Sequence, residues 1–153
     1  MISKKKIVVQ FNEANFKLIS KYLNKYDLPN LREIVTNFSL VNTSSEKEYK
    51  NLEPWIQWYS FYVNKDFNSH KTFHLGDCLK MNHQAFTEEL VKSGVQVGFF
   101  GSMNLKPNPK YKIFIPDAWT EAESDNSLSS KVVWKSMRKI IDKNARLKLG
   151  LSD

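Results

Sequence analysis

Acidic, amide and imidazole side chains occur at several points in this sequence where they could bind a metal ion or a charged substrate. Asn12 and Glu13 directly follow a short apolar run, and Glu53 stands just before a proline. His70 and Asp77 follow close together further along the chain. Carboxylate and imidazole groups are common metal ligands and general acid–base groups in enzymes. The sequence therefore offers candidates for metal binding or acid–base chemistry, provided that the fold brings them together.

The elements that must position these residues alternate between strands and helices. Short, nearly continuous apolar runs are typical of strands buried on both faces of a parallel sheet. Such runs occur near residues 6–11, 38–42, 95–100 and 112–115. Amphipathic helices are predicted between them, beginning after Asn15, Asn30 and Pro54 and near Asn82. The pattern predicts an α/β fold with a mainly parallel sheet flanked by helices.

Composition limits the class of protein. The chain has 153 residues, of which 41% are hydrophobic and 25% charged, which is typical of one packed domain and excludes a disordered or fibrous chain. A single cysteine, Cys78, excludes a disulfide framework and a cysteine-based zinc module. The apolar run at Ile7–Val9 is too short for a signal-peptide core or a membrane span. We therefore expect a soluble, cytoplasmic protein without a transmembrane segment.

Positive charge is concentrated at the end of the sequence. The chain has 23 basic and 16 acidic residues, a net charge of +7. Seven of the basic residues and two of the acidic ones lie from Lys131 onward, a local balance of +5. We predict a partial α/β domain over residues 1–130 and a basic amphipathic helix over residues 131–153. One face of this helix is expected to carry Val133, Met137, Ile140 and Ile141.

The cationic side of this helix leaves three interpretations open. It could be a solvated surface, it could contact a membrane surface or a protein partner, or it could contact nucleic acid. Nucleic-acid binding is the least expected of the three, because no helix-turn-helix, RNP-type aromatic signature or zinc finger accompanies the helix. A second ambiguity concerns residues 49–73, which hold eight aromatic side chains. This aromatic segment is either a core helix or a binding surface.

Five short motifs follow one another in a fixed order. They are Asn12-Glu13, Glu53 to Trp58, Leu75-Gly76-Asp77, Gly101 to Asn104 and Pro116 to Trp119. With this series, residues 6 to about 120 resemble the N-terminal part of the alkaline phosphatase superfamily, which includes type I phosphodiesterases, nucleotide pyrophosphatases and sulfatases. The resemblance is closest to a branch often encoded near bacterial surface-polysaccharide genes. It implies an alkaline-phosphatase-like α/β domain.

The resemblance also implies a chemistry. Members of the superfamily use two divalent cations, such as zinc, to activate a serine or threonine nucleophile against a phosphoester or sulfate ester. Carried over residue by residue, it implies metal ligation by Asn12, Glu13 and Asp77. It implies contact with the polar part of the substrate by Glu53, Gln57 and His70.

The sequence departs from the superfamily pattern at several of these positions. Pro54 stands where the hydroxyl nucleophile would fall, and Glu53 beside it cannot replace a hydroxyl group. Asn12 stands where aspartate is usual, and Glu13 where glycine is usual. An Asp-His pair and a later histidine, which complete the metal site in the superfamily, are missing. We therefore expect a truncated or split hydrolase-like domain that is inactive alone and is completed by a complementary C-terminal half.

A different class of function stays open. The same chain could be a non-catalytic interaction or scaffold domain that docks through its aromatic segment and its basic C-terminal helix. The sequence does not decide whether the chain is an enzyme, and it does not identify a substrate.

Overall fold

The structure is a computed structural model that describes residues 5–12, 14–37, 39, 41 and 43–148, with only the backbone for residues 146–148. The chain divides into two compact units, Met1–Ser44 and Ser45–Asp153. The second unit contains the motifs from Glu53 onward.

Two helices form the first unit. They are α1 (Phe16–Lys25) and α2 (Pro29–Asn37). Asn15 caps α1 as expected, since its side-chain oxygen accepts a hydrogen bond from the Leu18 N–H at 3.1 Å. The Arg32 guanidinium donates to the carbonyl of buried Leu23 at 2.7 Å. This contact holds the two helices together across the turn that Pro29 imposes.

The strand predicted at residues 6–11 is wrong. Ile7, Val8, Val9 and Phe11 have no regular secondary structure, and their exposed fractions lie between 65% and 88%. A β-branched run forms a strand only where a neighbour supplies ladder hydrogen bonds, and no strand among the described residues pairs with this run. The strand predicted at residues 38–42 lies partly outside the described residues.

A two-stranded parallel sheet lies in the second unit. Its strands are β1 (Gly98–Ser102) and β2 (Ile113–Pro116). Phe99 pairs with Phe114 and Phe100 with Ile115, and the register shifts between Phe100 and Ser102. The parallel arrangement of these two predicted strands is confirmed, and the fold is a small α/β fold.

Four helices accompany this sheet. They are α3 (Pro54–Val63), α4 (Phe67–His70), α5 (Phe86–Lys92) and α6 (Leu128–Lys148). Pro54 occupies the first turn of α3, where its missing N–H is not needed. The helix expected from about Asn82 begins only at Phe86. Ala85 is its N-cap residue, and the Ala85 N–H donates to the Glu88 carboxylate.

The aromatic segment contributes part of the core of the second unit. Tyr59 and Tyr62 of α3 are buried, and the Tyr62 ring lies 6.2 Å from the Phe99 ring of β1. Phe99 in turn contacts Tyr111, with ring centroids 5.0 Å apart. The core interpretation therefore holds for this face of α3, while Phe61 remains 47% exposed.

Helix α6 packs against β2 with part of its apolar face. The side chains turned to the domain are those of Ser130, Trp134, Met137 and Ile141, which are buried or half-buried. Val133 and Ile140, expected to pack with Met137 and Ile141, are 37% and 62% exposed instead. The apolar arc of the helix is wider than its contact with the domain. No helix among the described residues is long and apolar enough to span a membrane.

Candidate functional site

The side chain of Asn104 joins its own loop to two other segments that carry motif residues, the first turn of α3 and the loop at His74–Cys78. Its oxygen accepts hydrogen bonds from the N–H groups of Gly76 at 3.1 Å and Cys78 at 3.5 Å. Its amide nitrogen donates to the carbonyls of Trp55 at 3.1 Å and His74 at 3.3 Å. Asn104 is fully buried, so its carboxamide has no contact with water, and these four hydrogen bonds satisfy its donors and acceptors instead.

Asn104 also connects the ends of the two strands. It follows β1 with a φ of 53°, a left-handed conformation that asparagine tolerates better than most residues. Its N–H donates to the Thr120 hydroxyl at 3.0 Å. That hydroxyl donates to the carboxylate of Asp117, which directly follows β2 and accepts from the Thr120 N–H at 3.1 Å. The carboxyl ends of β1 and β2 therefore meet in one hydrogen-bonded network.

We call Trp55, His74–Cys78, Asn104 and Asp117–Thr120 the motif cluster. It unites residues of four of the five sequence motifs at the carboxyl edge of the parallel sheet, which is where ligands gather in open α/β folds. Gly76 has a φ of +88°, and a Cβ atom there would lie 3.3 Å from the Cβ of Glu121. This close approach favours glycine in the Leu-Gly-Asp motif.

Asp77 shapes the loop on which it lies. Its carboxylate accepts hydrogen bonds from the N–H groups of His74 at 2.8 Å and Phe73 at 3.1 Å, and Lys80 lies 3.8 Å away. Partial burial alone would raise the pKa of Asp77, but these hydrogen bonds and Lys80 outweigh it and hold the pKa below its usual value. Asp77 is therefore an ionised group at physiological pH.

His70 is buried against the middle of α3. Its Nε2 lies 2.8 Å from the Ser60 hydroxyl, and its Nδ1 accepts from the Thr72 N–H at 3.0 Å. Because Nδ1 accepts, the neutral ring carries its proton on Nε2 and cannot take a proton from Ser60. Burial, then His83 and Lys71, lowers the pKa of His70, although Glu46 and Asp66 oppose the shift. His70 and Ser60 thus form a structural pair, and substrate contact by His70 stays a prediction.

The other predicted substrate residues lie at the start of α3. The Glu53 side chain is exposed, and its carbonyl accepts from the N–H groups of Ile56 at 3.0 Å and Gln57 at 3.1 Å. The Gln57 side chain is half-buried and donates to the carbonyl of Asn51 at 2.7 Å. The Glu53 carboxylate is therefore exposed, two residues before Trp55 of the motif cluster, whereas the Gln57 amide nitrogen is used by the fold.

The other two predicted metal ligands are Asn12 and Glu13. Asn12 is exposed and belongs to the first unit, and Glu13 lies outside the described residues. Of the six predicted site residues, Glu53 and Asp77 are adjacent to or within the motif cluster. No group of three histidine, cysteine or acidic side chains that could hold a metal ion occurs among the residues that the structure describes. The described side chains by themselves do not fit a two-metal centre.

Sequence reasoning missed Asn104, Asp117 and Thr120 as residues that build this edge. Asn104 and Asp117 belong to the Gly-Ser-x-Asn and Pro-Asp-x-Trp motifs, which were the available signal.

Cys78 is not a candidate nucleophile, because burial, reinforced by Asp77, raises its pKa to about 12.

Comparisons of the chain with protein-family models, with curated proteins and with solved structures find no match.

Proposed function

We propose that this chain is part of an alkaline-phosphatase-like, metal-dependent phosphoester hydrolase domain, and that it contributes the substrate-facing edge without turning over substrate alone. The observation that carries the proposal is the convergence of four motifs on Asn104 at the carboxyl edge of a parallel sheet. The motifs are spread over more than sixty residues of sequence, yet one buried side chain joins their loops. In α/β folds this edge is the usual position of a ligand site.

The start of α3 supports the second half of the proposal. Pro54 and Glu53 occupy the position where a hydroxyl nucleophile is expected, and neither can form a phosphoryl ester through an alcohol oxygen. The described residues also lack a set of three metal ligands. The divalent cations and their remaining ligands must therefore come from residues outside the described part of the chain. In the completed site, Glu53 contacts the substrate and Asp77 contributes a carboxylate.

Metal content tests this proposal. The chain would be produced alone and, separately, together with the coding sequence that follows it in the genome, and both samples would be dialysed against zinc or manganese. We expect stoichiometric metal by mass spectrometry only in the joined sample, with less metal in an Asp77→Asn variant. Glu33→Gln, a change at an exposed glutamate of α2, serves as the control. Metal-free joined protein would contradict the proposal.

A second candidate function is a non-catalytic interaction domain. The exposure of Val133 and Ile140 on α6, and of Phe61 on α3, favours it, because these apolar side chains are not covered by the fold. Two results together would support this alternative. They are a joined sample that holds no metal and a chain that binds a partner through these side chains.

A further inference from the structure

The solvent side of α6 carries a row of lysines. Lys131, Lys135, Lys139 and Lys143 recur at every fourth residue, and all four side chains are exposed. At a rise of about 1.5 Å per residue, the row extends over about 18 Å of helix. None of the four forms an ion pair within the part of the chain that the structure describes. Their charges are therefore available to an anionic surface.

A single acidic residue accompanies this row within α6. Asp142 lies 3.7 Å from the Arg138 guanidinium, one helical turn away. Arg138 also donates to the carbonyl of Ala118 at 2.8 Å, so it faces the domain and does not extend the row. The acidic and basic groups at the edge of the row thus pair with each other and leave the lysines uncompensated.

Aliphatic side chains lie on the same solvent side as the lysines. Val132 is 56% exposed and Ile140 is 62% exposed. At about 100° per residue, Val132 lies within the arc of the lysine row and Ile140 lies about 60° beyond Lys143, so both border the lysines on the solvent side. Exposed aliphatic groups gain nothing from a nucleic-acid backbone, but they lose contact with water when they enter the boundary between lipid headgroups and acyl chains.

We propose that α6 is a membrane-surface helix. Its lysine row binds the headgroups of anionic lipids, and Val132 and Ile140 insert at the acyl boundary while the opposite face stays packed on β2. The charge of the row is complementary to an anionic leaflet, and the aliphatic side chains favour lipid over nucleic acid as its occupant. The proposal does not depend on the phosphoester function.

Vesicle sedimentation tests the lysine row. The full chain would be mixed with phosphatidylcholine vesicles that contain or lack phosphatidylserine, and we expect binding only where phosphatidylserine is present. The double variant Lys135→Gln, Lys139→Gln should bind about 25-fold more weakly, at roughly fivefold for each lysine near an anionic surface. The matched control is Lys110→Gln, Lys112→Gln, which removes two exposed lysines from the same unit and should bind as the parent chain does.

A second pair of variants distinguishes lipid from other anions. Val132→Gln, Ile140→Gln leaves the charge unchanged and should weaken vesicle binding about tenfold. Binding to heparin should stay unchanged. Circular dichroism of each variant checks that α6 still forms. Three results would each overturn the proposal. The first is vesicle binding that does not depend on phosphatidylserine, and the second is vesicle binding by Val132→Gln, Ile140→Gln that equals that of the parent chain. The third is tight binding to duplex DNA without vesicle binding.

Discussion

At the scale of single residues, Asn104 decides the shape of the motif cluster. Its carboxamide fills both donor and both acceptor positions with backbone partners from the first turn of α3 and from the loop at His74–Cys78. A buried polar group satisfied in this way is costly to remove, because each abandoned partner loses a hydrogen bond that water cannot replace. The residue therefore acts as a structural centre whose integrity any ligand site at this edge would require.

Replacement of Asn104 by alanine should destabilise the second unit strongly. The change removes the shared acceptor of the buried Gly76 and Cys78 N–H groups and places alanine at a positive φ. We therefore expect a loss of about 3 kcal/mol in the free energy of unfolding. Urea unfolding followed by tryptophan fluorescence measures it. The control Asn108→Ala removes one local hydrogen bond, which the Lys110 N–H donates to the Asn108 side-chain oxygen, and should cost about 1 kcal/mol. Equal effects of the two changes would contradict the role of Asn104.

His70 should make the protein less stable in mild acid. The pKa of a histidine in the unfolded chain lies near about 6.5, and burial lowers it in the folded state. Below that pH the unfolded chain binds more protons than the folded one. The free energy of unfolding must therefore fall as the pH decreases, by at most about 1.4 kcal/mol per pH unit.

Urea unfolding at pH 7.5 and pH 5.5 measures this dependence. A His70→Gln variant should be less stable at the higher pH but should show a smaller loss between the two. The exposed residue His74 supplies the control, since His74→Gln should behave like the parent chain. An unchanged pH dependence in the His70 variant would contradict the assignment.

At the scale of elements, Asp125 closes the outer edge of β2. Its carboxylate accepts from the Phe114 N–H at 2.7 Å and from the Ser127 N–H at 2.8 Å, and its own N–H donates to the Phe114 carbonyl at 2.8 Å. A loop thus replaces a third strand on this side and leaves no open edge at Phe114.

Asp125→Ala should cost about 2 kcal/mol, because two hydrogen bonds to a charged acceptor are lost. Asp125→Asn keeps an acceptor oxygen and should cost about half as much. Thermal unfolding of the two variants compares the changes, and hydrogen exchange at the Phe114 N–H reports the edge itself. Slow exchange at that N–H in Asp125→Ala would show that the carboxylate does not protect it.

The elements also show what the sequence can predict. α1 and α3 could be predicted because Asn15 and Pro54 are local start signals that act within a few residues. β1 and β2 were recognisable as apolar runs bounded by turns. The run at residues 6–11 has the same composition and forms no strand, because a strand also requires a partner, and composition does not specify one.

At the scale of the whole molecule, the site depends on contacts between distant parts of the sequence. The bond from Asn104 to Trp55 joins residues 49 positions apart, and the bond to His74 joins residues 30 apart. No local pattern indicates such pairings. The motif series contains residues of the segments that meet at Asn104, but it could not show that the side chains of His70 and Gln57 are used within the fold.

We propose that this chain carries the substrate-facing edge of a phosphoester hydrolase, and that the residues described by the structure lack the metal ligands that would complete the site. The most direct test is the hydrolysis of bis(4-nitrophenyl) phosphate in zinc or manganese, by the chain alone and by the chain joined to the coding sequence that follows it. The account predicts no metal-dependent hydrolysis by the chain alone. It predicts hydrolysis by the joined protein that falls about 100-fold in Glu53→Gln, with Glu33→Gln as the unaffected control. Metal-dependent hydrolysis by the chain alone, or no hydrolysis by the joined protein, would contradict it.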